Sequence, residues 1–373
     1  MQTILQRLRA FNLYFLLILH VGLLSCNLNE DYKPKPLPNT PPDLISYDEL
    51  GSGTIVFNRS TFKFDGDAIV GVDGGYGTYV IDVNARTSRV LNQIDAPLLS
   101  PDGKFIAYVE YGRFCQWDIH VVNKDGSNDH NVSLTDHTTI YQSWNGVSGQ
   151  ILFFDTDLGL LYSQSPFSDK NDRKIIYDFE YNWQDEIAFG SPSNLVLSPF
   201  SVSNSEKLSF CQRIDSLNQE AIFSMDISGE NVDQIYLADE DDWIFSPNWS
   251  PDGMTIAFLL FSGPEFIKYQ EIVLINVNSK EVHSILKLDI DRGAEGHYAN
   301  GGLAFCWHEV RRRDITLSWS PDGTKIIFTK LEPDDNDGKY QGMSIGFIYA
   351  DGTGFTQLTS KSDAEDSYIS WSN

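Results

Sequence analysis

Ser100-Pro101-Asp102-Gly103, Ser250-Pro251-Asp252-Gly253 and Ser320-Pro321-Asp322-Gly323 are three copies of one turn in a chain of 373 residues. After one intervening residue position each copy runs into an apolar segment: Phe105-Ile106-Ala107-Tyr108, Thr255-Ile256-Ala257-Phe258 and Lys325-Ile326-Ile327-Phe328. Ser at the first corner, Pro at the second and Gly at the fourth suit a type I turn, because Pro presets φ and Ser bonds back to the backbone. Such a turn between apolar runs predicts a β-hairpin, and a hairpin that recurs makes repetition the first fact about the fold.

The clean copies locate degraded ones. The strand after the turn recurs at 54–57, 105–108, 150–153, 207–210, 255–258 and 325–328, with Asn145-Gly146-Val147-Ser148-Gly149 and Ser203-Asn204-Ser205 as turns that lack the Pro. A further strand follows each time, and behind several of these comes another turn (Lys124-Asp125-Gly126, Ile227-Ser228-Gly229, Ala350-Asp351-Gly352) and a closing strand. Four antiparallel strands per unit, six units and no helical periodicity predict an all-β, six-bladed β-propeller over 44–373. The second strands are continuous apolar runs, as expected for strands covered on both faces by neighbouring blades. Trp144, Trp249 and Trp319 end first strands. The C-terminal Tyr368-Ile369-Ser370-Trp371-Ser372-Asn373 is one more first strand with nothing behind it, so it is expected to supply the inner strand of the first blade and close the ring.

The N-terminal region is of another kind. Arg7 and Arg9 precede an apolar stretch over 11–24 that ends in Leu23-Leu24-Ser25-Cys26, which resembles the lipobox of bacterial lipoproteins. That resemblance implies a signal peptide over 1–25, cleavage before Cys26, lipidation of its thiol, and a membrane anchor on the periplasm-facing or cell-surface side of the outer membrane. Glu30 and Asp31 resemble the acidic surface-export signal of Bacteroidetes lipoproteins. Residues 26–43 are polar and proline-rich, an extended tether. The formal charge of −25 repels phosphate backbones and argues against nucleic-acid binding. Cys115, Cys211 and Cys306 are widely spaced and predict neither a disulfide framework nor a zinc site; no cofactor or metal is expected.

Trp-Ser-Pro-Asp-Gly followed by Ile-Ala-Phe, as in 249–258 and again in 319–328, with Asp351-Gly352 and Gln357-Leu358-Thr359, resembles the propeller repeat of TolB-like proteins. The resemblance covers about 44–373 and implies architecture more than activity, since the repeat serves scaffolds, peptidase propellers and polysaccharide lyases. TolB itself carries an added N-terminal α/β domain, for which this chain has no room.

In a blade, the first-to-second and third-to-fourth turns share one face, and here they are tight. The second-to-third loops and the crossovers share the other, and they are irregular, the longest spanning 289–313. Long loops on a rigid scaffold are where binding resides. These loops carry Trp183, Trp243, Tyr269, His297, Trp307, His308, Arg312 and Tyr340 beside many carboxylates, a mixture suited to a protein or glycan ligand: rings stack on C–H surfaces while acids take hydroxyls or amines. A single loop aromatic can equally cover the end of a blade core, and acidic runs such as Asp239-Glu240-Asp241-Asp242 are ordinarily solvated. With no Gly-x-Ser-x-Gly elbow, the expectation is a monomeric, non-catalytic binding module. The alternative is a metal-dependent lyase resembling oligogalacturonide lyase, with His297 and His308 as the ligands to test.

Overall fold

A computed structural model describes residues 37–38, 41, 44 and 46–373, except 66–67, 92–93, 112–116, 134–138, 156–157, 169–171, 179–200, 215–216, 218, 241, 263–265, 294–314, 333–341 and 360–363. Pro36–Asn373 form one compact unit. In chain order its strands are β1 (Thr54–Asp65), β2 (Ala68–Asp82), β3 (Thr87–Leu91); β4 (Asp95–Leu99), β5 (Phe105–Tyr111), β6 (Trp117–Asn123), β7 (His130–Asn131); β8 (Thr139–Trp144), β9 (Ile151–Asp155), β10 (Leu160–Gln164), β11 (Lys174–Asp178); β12 (Ser201–Val202), β13 (Lys207–Ile214), β14 (Gln219–Asp226), β15 (Asp233–Leu237); β16 (Asp242–Trp249), β17 (Thr255–Ser262), β18 (Phe266–Asn276), β19 (Val282–Gly293); and β20 (Leu317–Trp319), β21 (Lys325–Leu331), β22 (Met343–Tyr349), β23 (Thr356–Gln357), β24 (Ala364–Ser372).

Among the described residues these strands make four four-stranded antiparallel sheets, β4–β7, β8–β11, β12–β15 and β16–β19, and one eight-stranded sheet. The larger sheet corrects the expectation of six separate units. In it β20–β23 and β24–β1–β2–β3 are joined by a single parallel bridge, Met343 to Glu365, because β24 runs beside β22 before it pairs antiparallel with β1. Neighbouring groups of strands share apolar clusters. Val56 and Val80 meet Ile106 and Val122; Val109 and Val121 meet Phe153; Phe154 meets Phe210; Ile222 meets Phe258. Phe261 then meets Phe328, and Ile327 and Phe347 return to Phe57 and Ile81. The packing therefore runs in a closed ring, the arrangement of a β-propeller.

Each Ser-Pro-Asp-Gly turn is held by the same set of hydrogen bonds. The Gly N–H donates to the Ser carbonyl at 2.8–2.9 Å at 103, 253 and 323. The Ser Oγ donates to the Asp Oδ1 and accepts from the N–H of Phe105, Thr255 or Lys325 at 2.9–3.0 Å. The same Asp Oδ1 accepts from the N–H of Lys104, Met254 or Thr324. Gly103 has φ +64 and a Cβ there would lie 1.7 Å from the Asn373 carbonyl oxygen, so only glycine fits. The Pro-less copy keeps the chemistry: Ser203 Oγ accepts from Lys207 N–H at 3.0 Å, and Glu206 takes the left-handed position with φ 56.

Inner strands are tied to each other by hydroxyls. Ser201, Ser246, Thr316, Ser318 and Ser370 accept from the N–H of Trp249, Leu317, Ile369, Trp371 and Leu99, each on the next group of strands. The inner strands β4, β8, β16 and β24 also share a β-bulge, and in three of them a non-glycine residue there has positive φ: Ala96, Ser246 and Tyr368. Trp144 and Trp319 donate their indole N–H to the inner strand of the preceding group, at Leu98 O and Asn248 O.

The chain ends meet in one sheet. Arg59 on β1 and Asp366 on β24, 2% and 1% exposed, form a two-pronged ion pair at 2.6 Å, and Thr359 Oγ1 donates to the same carboxylate. The guanidinium lies over the rings of Phe57 and Tyr79. Helix α1 (Tyr47–Leu50) starts at Ser46, and its last turn is capped from β21, where Lys325 Nζ donates to Glu49 O at 2.9 Å. The tether expected over 26–43 is already docked at its end: Leu37 packs on the Phe57–Phe347 cluster and Tyr79 Oη donates to Pro38 O at 2.9 Å.

Two outcomes follow from charge. Asp366→Ala leaves Arg59 buried without its anion and is expected to cost about 3–5 kcal/mol in denaturant unfolding, while Arg59→Met with Asp366→Leu recovers most of it. Asp252 is held below the ordinary carboxylate value of 3.8 by the hydrogen bond from Ser250, then by that from the Met254 N–H. Its contribution is complete above 3.8 and is lost as pH falls through the lower folded value. Asp252→Asn should therefore melt below the parent at neutral pH, with the gap closing in acid.

Candidate binding site on the loop face

The strand ends opposite the Ser-Pro-Asp-Gly turns form the irregular face. Most of the residues nominated there lie outside the described residues: Trp183, His297, Trp307, His308, Arg312 and Tyr340, as does Cys26. Trp243 and Tyr269 are described, both at the loop end of the β16–β19 sheet.

The local sequence explains how they are set. Asp242 and Trp243 open β16, eight and seven positions before the turn at Ser250. Trp243 sits opposite Phe261 and packs against the Phe245–Phe328 core cluster, so it caps the blade interior. Tyr269 is placed differently. Ser262 Oγ, at the end of β17, accepts from the N–H of Lys268 at 3.0 Å and of Tyr269 at 3.2 Å, fixing where the chain re-enters the sheet after 263–265. The antiparallel register then puts Asp289 opposite Tyr269 and Lys287 opposite Glu271.

A polar group results. Tyr269 Oη donates to Asp242 Oδ1 at 3.1 Å, the Lys287 ammonium lies 3.4 Å from the Tyr269 ring centroid, and Lys287 pairs with Glu271 at 3.3 Å. Half of the Lys287 side chain remains exposed. Burial pushes the Asp242 carboxyl above its ordinary value; the Tyr269 hydrogen bond and Lys287 oppose this, while Asp239 and Glu271 add to it. Tyr269 is pushed up to about 12, by burial first and then by Asp242. Tyr236, whose ring stands 4.8 Å from that of Phe258, is also pushed up to about 12, by burial and then by Asp242, Asp239 and Glu271. The acidic run 239–242 thus departs from the solvated reading at Asp242. Sequence reasoning passed over Lys287, Glu271 and Tyr236. Counting back along the hairpin from the Asn278-Ser279 turn pairs Glu271 with Lys287 only if the bulge between Ile272 and Val273 is known.

The arrangement offers a ring face, a phenol, carboxylates and one ammonium, which are binding groups. Among the described residues no set of three His, Cys, Asp or Glu could hold a metal ion. His120 shows why a nearby trio can fail: Asp129 lies 3.1 Å from its Nδ1 and Glu110 2.8 Å from its Nε2, on opposite sides of the ring, so no single ion reaches all three.

In fold the chain is similar to a putative TolB from Agrobacterium tumefaciens (15% identity, TM-score 0.51, covering 87% of this chain and 100% of that one). It is also similar to a chain of a Nidogen/Laminin complex (8%, 0.53, 86% and 99%) and to hydrazine synthase from Kuenenia stuttgartiensis (12%, 0.54, 86% and 46%). No protein-family profile matches the chain, and no curated protein matches it in sequence. The fold is an all-β, TolB-like β-propeller.

Asp242 gives a test with a sign opposite to that of Asp252. Its raised folded value means that ionisation disfavours the folded state as pH rises from 3.8 through that value. Asp242→Asn keeps an acceptor for Tyr269 and removes the charge, so thermal melts should show equal or higher stability at neutral pH, with no difference below the ordinary value.

Proposed function

We propose that this protein is an exported, lipid-anchored six-bladed β-propeller that binds a protein or glycan partner through its loop face and performs no catalysis of its own. The six-blade count takes the eight-stranded sheet as two blades joined by the Met343–Glu365 bridge. One observation carries the binding role: the two faces are chemically unlike. The turn face is closed by short turns whose polar groups bond to one another, leaving little to engage a partner. On the loop face, Tyr269 and Lys287 are presented beside Asp242 and Glu271, groups that can meet hydroxyls, amines or carboxylates. From the sequence, Trp183, His297, Trp307, His308 and Arg312 are assigned to the same face. A propeller of this kind takes part in a solved Nidogen/Laminin complex, which supports a protein partner as one option.

Anchoring rests on Leu23-Leu24-Ser25-Cys26 and places the protein on the periplasmic or outer surface of the outer membrane. The net charge of −25 disfavours nucleic acid as the ligand.

The experiment is partner capture and glycan-array binding with the chain from residue 27 onward. Tyr269→Ala and Trp307→Ala are each expected to weaken capture by about tenfold or more, the scale of an interface aromatic, with little change in melting temperature. Variants that melt like the parent and still bind equally overturn the loop-face assignment. Metal-dependent release of product from unsaturated oligogalacturonides would overturn the non-catalytic reading.

A further inference from the structure

The outer edges of the sheets are short, with one exception. β3, β11 and β15 have five residues each, and β7 and β23 have two. β19 has twelve and is the last strand of its sheet, bonded to β18 on one side only among the described residues. A long edge presents a row of N–H and C=O groups ready to accept another strand, and natural sheets ordinarily blunt such edges with proline, short length or a cover. β19 contains no proline and carries its one glycine at the terminus. Its edge is interrupted by two register shifts, opposite Ile267–Tyr269 and Ile272–Val273, which leave Leu286–Asp289 as the regular stretch between them.

Its centre reads Leu286-Lys287-Leu288-Asp289-Ile290, a pattern complementary to itself when reversed. Lys287 and Asp289 lie on one face, opposite Glu271 and Tyr269 of β18, and both are exposed. Leu286, Leu288 and Ile290 lie on the other, against the Phe261–Phe328 cluster. When two such strands are laid antiparallel about a two-fold axis through Leu288, Lys287 falls opposite Asp289 twice and Leu286 opposite Ile290 twice. Registers centred one residue to either side put Lys287 or Asp289 opposite itself. Those centred on Leu286 or Ile290 oppose Glu281 to Asp291 or Asp289 to Asp291. Of these five registers only the one centred on Leu288 avoids like charges, and its centre lies in the regular stretch between the two register shifts of β19.

We propose that β19 is the interface of a two-fold symmetric dimer, pairing antiparallel with β19 of a second copy about Leu288. The occupant is a second copy because the charge pattern is self-complementary, the requirement of an isologous contact. The inference shares Lys287 with the loop-face group but does not depend on what that face binds, and it replaces the expectation of a monomer.

The test is analytical ultracentrifugation of the full-length protein in detergent and of the chain from residue 27 onward, over a range of concentrations. Lys287→Glu and Asp289→Lys each set like charges opposite each other twice. Each is expected to raise the dimer dissociation constant by about tenfold or more. The double variant Lys287→Glu with Asp289→Lys restores both pairs and should return association toward the parent, an outcome that loss of the Lys287 contacts to Glu271 and Tyr269 cannot produce. Leu288→Cys should cross-link to itself under mild oxidation, whereas Val282→Cys should not, which keeps the register testable if the charge variants fold poorly. A parent that stays monomeric throughout, including one that pairs β19 with a strand of a different protein, overturns the proposal. So do single variants that associate like the parent.

Discussion

The pairing of β24 with β1 is the constraint on which the rest depends. Every group of strands is apolar on both faces and relies on a neighbour to cover each one, so a linear stack would leave two bare faces at its ends. Bringing residues 307 positions apart in sequence into one sheet removes those ends. The entropy of closing so long a loop grows only slowly with length, whereas the apolar area covered is gained in full. Arg59 and Asp366 sit at this seam as a buried, two-pronged pair, with the guanidinium over the rings of Phe57 and Tyr79, which makes the register of closure specific. Thr359, the Ser318 and Thr316 hydroxyls, and the docked Leu37 and α1 all converge on the same seam.

Closure also assigns chemistry to the two faces. With inner strands locked to one another by serine and threonine hydroxyls, the turns at one end can be minimal, and Ser-Pro-Asp-Gly is a turn whose side chains satisfy its own backbone. Variation is pushed to the other end, where the connections are long. The opposite shifts of Asp252 and Asp242 follow from this division: the first is surrounded by donors, the second by burial and other anions.

Much of the architecture was legible from residues alone. The turn pattern located the second strand of each group, β1, β5, β9, β13, β17 and β21, though not the outer strands β3, β11 and β19, and Trp144, Trp249 and Trp319 do end inner strands. Less was legible at the site. Composition picked Trp243 and Tyr269 equally, since both are aromatic and near loops. In the structure Trp243 caps the core while Tyr269 presents its ring to Lys287. The difference depends on which way a bulged strand turns its side chains, and a one-residue bulge reverses every face assignment after it. Bulges at Ala96, Ser246 and Tyr368 left no mark in the local sequence, because none of these residues favours positive φ.

By itself the sequence determined the repeat, the turn chemistry, the apolar strands and the polarity of the two ends, all properties of residues within a few positions of each other. Tertiary structure alone decided the Arg59–Asp366 seam, the fusion of two groups of strands through Met343 and Glu365, the Tyr269–Lys287–Asp242 group, and the length of β19. Each of these depends on register between distant strands, and register is set by how the whole ring packs, a quantity that no local stretch of chain contains.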